Sequence, residues 1–192
     1  SPRLRDNSIY DFMHDKSGVD WFGLYKLGIE YTYYNKRLFN VYRFGKFDTS
    51  ELIVRSFCIN GSQKIIGTRN GLYFVDEACN MVKYFSKKQL GGGIVTSICY
   101  YNNHYYISTY DGGVSVIDHH GENIRRMTVI PELNKGSFGK SVVSPDHKLW
   151  LGSNLGLFIY DSKTNHVVKY DKKNSQLFDG FIGDLMFDSK KR

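Results

Sequence analysis

Four stretches of this chain alternate short apolar runs with glycine turns in the same way. In Leu149-Trp150-Leu151-Gly152-Ser153-Asn154-Leu155-Gly156-Leu157-Phe158-Ile159-Tyr160-Asp161, two short strands flank a tight turn that closes on a glycine. The pattern returns in Ile65-Ile66-Gly67-Thr68-Arg69-Asn70-Gly71-Leu72-Tyr73-Phe74-Val75-Asp76 and in Tyr106-Ile107-Ser108-Thr109-Tyr110-Asp111-Gly112-Gly113-Val114-Ser115-Val116-Ile117-Asp118. A more worn copy is Trp21-Phe22-Gly23-Leu24-Tyr25-Lys26-Leu27-Gly28-Ile29-Glu30-Tyr31. The closing glycines Gly28, Gly71, Gly113 and Gly156 follow one another at 43, 42 and 43 residues. A repeat of that length built only of strands predicts propeller blades of four strands each. None of the units places apolar residues at helical spacing.

Turn signals divide each unit into four strands. In the first, strands are expected at about 8–14, 20–24, 28–34 and 38–44, with Asp15-Lys16-Ser17-Gly18 as the first turn. The weak alternation of Ile9-Tyr10-Asp11-Phe12-Met13 fits an inner strand covered on both faces. Asn60-Gly61 marks the first hairpin of the second unit, Asn102-Asn103 that of the third and Pro145-Asp146-His147 that of the fourth. Gly91-Gly92-Gly93 links the second and third units. The pattern restarts at 181–187. The expected class is therefore all-β: a partial β-propeller of four blades, each of four antiparallel strands, plus the first strand of a fifth. The blades fall at about 7–45, 52–86, 94–130 and 139–171, and the next begins in 181–192. An arc of four blades exposes apolar faces at its two ends, so self-association or completion of the ring by further blades is expected.

Composition changes this picture little. Apolar residues at 41% and aromatic residues at 16% supply a core. No apolar run approaches the roughly 20 residues of a membrane span, and Ser1-Pro2-Arg3-Leu4-Arg5 does not begin a signal peptide. The chain opens without Met and is read as a piece of something longer. Cys58 and Cys99 hold the same place in neighbouring inner strands, and with Cys79 they show no CxxC spacing, so small buried apolar residues are expected. The formal charge of +7 raises a nucleic-acid reading. Lys87-Lys88, Arg125-Arg126 and Lys172-Lys173 spread that charge over turns and outer strands, whereas nucleic acid calls for a concentrated patch. Neither nucleic acid nor membrane is expected as a partner; a modest preference for acidic ligands is compatible with the charge.

No catalytic, cofactor or metal site emerges from the motifs. Lys135-Gly136-Ser137-Phe138-Gly139-Lys140-Ser141 ends like a phosphate-binding loop, but position 134 is Asn and a strand follows in place of a helix. Asp15-Lys16-Ser17-Gly18 lacks the further carboxylates of a calcium loop and reads as a turn. The six histidines have no ligand spacing, and adjacent strand residues such as His119-His120 point to opposite faces. The turns between strands two and three are more informative. They share one end of every blade, and their residues Tyr25, Lys26, Arg69, Asn70, Tyr110, Asp111 and Asn154 combine rings, amides and charges. That mixture suits a polyhydroxylated ligand, which takes stacking faces and paired hydrogen bonds.

Lys148-Leu149-Trp150-Leu151-Gly152-Ser153-Asn154-Leu155-Gly156-Leu157 and Gly67-Thr68-Arg69-Asn70-Gly71-Leu72 resemble the two-component regulator propeller repeat, with its Trp-x-Gly-(Thr/Ser)-x-x-Gly-Leu core. Asn7-Ser8-Ile9-Tyr10-Asp11-Phe12, Asp15-Lys16-Ser17-Gly18 and Trp21-Phe22-Gly23 are similar to the entry of such a blade. Leu24 stands where Thr is usual, and Ser108 replaces the first glycine of the third unit. The resemblance implies the periplasmic sensor region of a Bacteroides-type hybrid two-component histidine kinase, a non-catalytic part of an inner-membrane protein. It further implies detection of an oligosaccharide and control of polysaccharide use. Two alternatives are a protein-interaction scaffold and a glycan-active propeller enzyme.

Overall fold

The computed structural model describes residues 8–33, 39–42, 52–178, 180–188 and 190. The opening stretch through Asn7, the expected strand ends at Tyr34, Leu38 and Phe44, and residues 191–192 lie outside them. The described chain forms four antiparallel sheets, each a four-stranded meander in which spatial order is sequence order. The first holds β1 (Ile9–His14), β2 (Val19–Leu24), β3 (Gly28–Tyr33) and β4 (Phe39–Tyr42). The second holds β5 (Val54–Asn60), β6 (Gln63–Thr68), β7 (Gly71–Val75) and β8 (Met81–Ser86). The third holds β9 (Val95–Tyr101), β10 (His104–Thr109), β11 (Gly113–Asp118) and β12 (Ile124–Arg126). The fourth holds β13 (Phe138–Val143), β14 (Leu149–Ser153), β15 (Gly156–Asp161) and β16 (His166–Tyr170). These are propeller blades, and the chain is all-β.

The four closing glycines all have positive φ, from +75° at Gly113 to +131° at Gly71. Only glycine adopts such a conformation without penalty. A Cβ at Gly71 would also collide with the Phe85 carbonyl, and one at Gly156 with the Tyr170 carbonyl. The glycine thus turns the hairpin and admits the outermost strand beside it. Side-chain hydroxyls complete three of these turns: Thr68 donates to the Gly71 carbonyl, Thr109 to Gly113 and Ser153 to Gly156, each at 2.9 Å. Leu24 holds this place in the first blade and has no hydroxyl to offer.

Every inner strand carries an irregularity at the same point, which the alternation of the sequence does not announce. Pairing slips between Ile9 and Asp11, between Val54 and Ser56, opposite Ser108/Thr109, and between Phe138 and Ser141. These bulges place Tyr10, Arg55, Thr96 and the Gly139–Lys140 pair outside the regular ladder.

The chain divides into two compact units, 1–86 and 87–192. In the first, Val19, Trp21 and Ile29 of one blade pack on Leu52, Val54, Ile66, Tyr73 and Val75 of the next. Gly23 lets them approach: a Cβ there would stand 3.0 Å from the Phe57 ring and 3.1 Å from Val54. In the second unit, Tyr101, Tyr106, Val114, Val116 and Met127 pack on Leu133, Phe138, Leu149, Leu151, Phe158 and Tyr160. Each fully buried side chain of this size contributes about 1.5–3 kcal/mol.

Helix among the described residues is limited to one turn, Lys87–Leu90, and a 3-10 turn, Pro131–Asn134, opened by its proline. Neither is marked by the turn signals of the sequence. The fifth-blade start expected at 181–187 forms no ladder. It nevertheless lies on the fourth blade, where the Lys140 N–H donates to the Gly183 carbonyl and the Ile182 N–H to the Ser153 carbonyl. A Cβ on Gly152 would sit 2.8 Å from Ile182, so this segment lies against the fourth blade as Val54 and Phe57 lie against the first. Cys58 and Cys99 are half-buried in inner strands, and Cys79 is buried in the β7–β8 turn.

Candidate functional site

One hydrogen bond recurs in all four blades and fixes the candidate residues. The first residue of each strand-two to strand-three turn donates its backbone N–H to the residue just ahead of the inner strand. The pairs are Tyr25 to Ser8, Arg69 to Ile53, Tyr110 to Ile94 and Asn154 to Ser137, each at 2.9 Å. Tyr25, Arg69, Tyr110 and Asn154 are therefore equivalent positions, each beside the head of its own inner strand and close to the bulge.

In the first unit this arrangement builds a stack. The Tyr10 and Tyr25 rings lie 5.4 Å apart, tilted by 47°. The Arg55 guanidinium lies 5.0 Å from the Tyr10 centroid, and the Lys26 ammonium 4.8 Å from that of Tyr25. Lys26 is held at φ 66°, a left-handed turn conformation. Tyr10 is 45% exposed, and Arg55, Lys26 and Arg69 are all exposed. Asn70 is half-buried; its carbonyl accepts the Tyr84 hydroxyl at 2.7 Å, and its N–H donates to Thr68. Tyr10 and Arg55 are absent from the residues singled out in the sequence. Their signal is the bulge, which only the pairing reveals.

In the second unit the candidates differ in character. Tyr110 is 55% exposed. The Asp111 carboxylate accepts the Gly93 N–H at 2.9 Å and ties the glycine link to the turn. The Asn154 side-chain carbonyl accepts the Ser137 N–H at 2.9 Å. These two side chains organise the turns that carry them. Behind the Tyr110 turn lies Arg126, whose guanidinium donates to the carbonyls of Leu90, Gly112 and Asn134 and to the side chains of Ser115 and Asn134. Burial among these neutral acceptors lowers its pKa.

The opposite end of the first unit holds a cleft of about 530 Å³ lined by Met13, His14, Lys16, Ser17, Ile59 and Asn60, with Asp15 and Gly61. Asp15 is a turn residue, as the sequence suggests: its carboxylate accepts Ser17 N–H and hydroxyl, Val19 N–H and the Trp21 indole N–H. Burial works to raise its pKa, but those donors together hold it below the ordinary value. His14 contacts Asp20 at 2.6 Å beside the cleft. Among the described residues no three His, Cys, Asp or Glu side chains converge on a metal position. No described helix is long and apolar enough to cross a membrane.

No protein-family model matches this chain, nor does any curated protein sequence. Its fold is nonetheless that of solved β-propellers. The extracellular domain of the putative hybrid two-component system BT3049 from B. thetaiotaomicron superposes with a TM-score of 0.75 at 20% identity, over 92% of this chain and 25% of that one. The extracellular domain of the putative one-component system BT4673 from the same organism gives 0.69 at 17% identity, over 88% and 26%. The Neurospora crassa Pan2 WD40 domain gives 0.68 at 13% identity, over 88% and 52%. This chain spans about a quarter of the length of the two sensor domains. At these identities the likeness establishes the propeller fold.

Proposed function

We propose that this chain is a ligand-binding part of an extracytoplasmic sensor of the two-component type, and that its ligand is an oligosaccharide. The observation that carries the reading is the Tyr10–Tyr25 ring pair, Tyr10 exposed and Tyr25 half-buried, at the turn end of the first unit, flanked by Arg55 and Lys26. A solvent-facing ring with hydrogen-bonding neighbours suits the apolar face and hydroxyl rim of a sugar. The repeat core in the sequence and the likeness in fold to extracellular sensor domains support the same reading. The chain performs no chemistry in this reading. Occupancy would alter sensor packing, and a kinase encoded with it, on the far side of the inner membrane, would regulate polysaccharide use. The periplasm is the compartment that reading requires.

The test is calorimetric titration of the 192-residue chain with a panel of oligosaccharides. Saturable binding without turnover, weakened by Tyr10→Ala and Tyr25→Ala and unaffected by Lys16→Ala in the opposite cleft, supports the sensor. Turnover would make the chain an enzyme. A flat panel would favour the protein-interaction scaffold, and a loss confined to Lys16→Ala would move the site to the cleft.

A further inference from the structure

We infer that the ligand of the Tyr10–Tyr25 stack is an anionic oligosaccharide, one that carries carboxylate or sulfate groups along its chain. The inference rests on the oligosaccharide reading above and adds the chemical class.

Basic side chains differ in what they meet among the described residues. Some are already partnered: Lys148 pairs with Asp146 at 3.0 Å, Lys169 with Asp171 at 3.6 Å, and Arg126 is enclosed by acceptors. Lys64 donates to the Glu77 carbonyl at 3.1 Å. Arg55 and Lys26 form no ion pair with any described carboxylate, and each lies against a tyrosine ring. A guanidinium is a planar fork of donors that grips a carboxylate or sulfate through two hydrogen bonds, and that of Arg55 belongs to an exposed residue. Arg69 adds a third exposed cation, its N–H bonded to Ile53, two residues ahead of Arg55. Asp11, next to Tyr10 in the chain, turns one carboxylate oxygen back to the Phe12 N–H at 3.0 Å.

The order along the stack is cation, ring, ring, cation. A neutral sugar would use the rings and leave both charges without a counterpart. A lone small anion would engage one cation and neither ring. A saccharide chain with anionic substituents matches both components, because its sugars lie along the exposed part of the Tyr10 ring while its charges meet Arg55 and Lys26.

The experiment compares three galactose-based tetrasaccharides of equal length: neutral galactotetraose, the galacturonic-acid tetramer and a sulfated galactan tetramer. Calorimetry with the full chain reads each at low and at physiological salt. The expected result is tighter binding of one or both acidic tetramers by roughly tenfold or more, with affinity falling as salt rises. The double variant Arg55→Gln/Lys26→Gln should abolish that preference and leave weak, salt-insensitive binding through the rings. Its melting temperature, checked in parallel, should equal that of the parent because both side chains are exposed. Equal affinity for neutral and acidic tetramers, or a preference that survives the double variant, overturns the anionic class while leaving the oligosaccharide reading intact. Binding of none of the three overturns both. Preference for the uronate or for the sulfate tetramer then assigns the source of the charge.

Discussion

The Ser97 hydroxyl on β9 accepts the backbone N–H of Ser141 on β13 at 3.1 Å, and the two hydroxyls meet at 2.9 Å. Both residues are buried, and Ser108 stands 3.4 Å from Ser141. Beside them Thr96 donates to the Phe138 carbonyl at 2.7 Å. The third and fourth blades are therefore joined at their inner strands by hydroxyl-to-backbone bonds. Removing the Ser97 hydroxyl leaves a buried N–H without its acceptor. Ser97→Ala should destabilise the second unit by about 1–3 kcal/mol, read from urea unfolding. Because the pair shares one bond, the double change with Ser141→Ala should fall short of the sum of the single changes.

Gly156 and Gly61 separate conformational strain from steric collision. Both have positive φ, +113° and +59°. A Cβ on Gly61 meets nothing within 4 Å, whereas one on Gly156 runs into the Tyr170 carbonyl and the Asp171 side chain. Gly61→Ala should lose about 1–2 kcal/mol, the left-handed penalty alone. Gly156→Ala should lose more and detach β16, visible as rapid hydrogen exchange at residues 166–170.

Arg126 positions the turn that presents Tyr110. Replacing it with Met leaves the carbonyls of Leu90, Gly112 and Asn134 without their donors. The change should cost about 1.5–3 kcal/mol and increase proteolytic cleavage between residues 109 and 113. Arg126→Lys should restore little of this, because one ammonium cannot span a fork of acceptors.

Acid should unfold this protein through its turns. The Asp15 carboxylate is held below its ordinary pKa by its four donors against the opposing effect of burial. Asp76 is held down by the Asn80 side-chain and backbone N–H groups. Asp118 is lowered likewise, Glu122 and Asn123 outweighing its desolvation. A folded-state value below the unfolded one means that protons bind the unfolded chain more tightly. The stability these groups supply is complete above the ordinary carboxyl range of about 4 and is lost as pH falls through the lower folded values. The urea midpoint should hold steady from pH 7 to pH 5 and fall below pH 4. Asp118→Asn should lower the plateau and make the fall shallower; an unchanged slope would count against this account.

The repeat was legible because glycine is obligatory at its turns. Gly28, Gly71, Gly113 and Gly156 are each needed for backbone conformation, and three also for the approach of a neighbouring backbone, so their spacing survives where other residues drift. The Asp15 turn was legible for a similar local reason. What the sequence concealed is everything that depends on register. Tyr10 and Arg55 lie 45 residues apart in the chain. Their meeting follows from two bulges, and a bulge disturbs the alternation by which strands are recognised. The faint pattern of Ile9-Tyr10-Asp11-Phe12-Met13 has this cause and not the burial on both faces expected of it, because Ile9, Tyr10 and Phe12 are exposed. The roles of Asp111 and Asn154 were hidden too, because a polar residue in a turn gives the same signal whether it faces a ligand or its own backbone.

The repeated bulge has a consequence for how such a chain changes over time. It releases one residue in each inner strand from the ladder, and in the first two blades that residue is an exposed Tyr and an exposed Arg. Mutation at such a position disturbs neither the hairpin glycine nor the packed core, so a blade can alter what it offers while its framework stays fixed. A tandem duplication of blades then yields several independently adjustable points on one scaffold, and new preferences can arise by single substitutions.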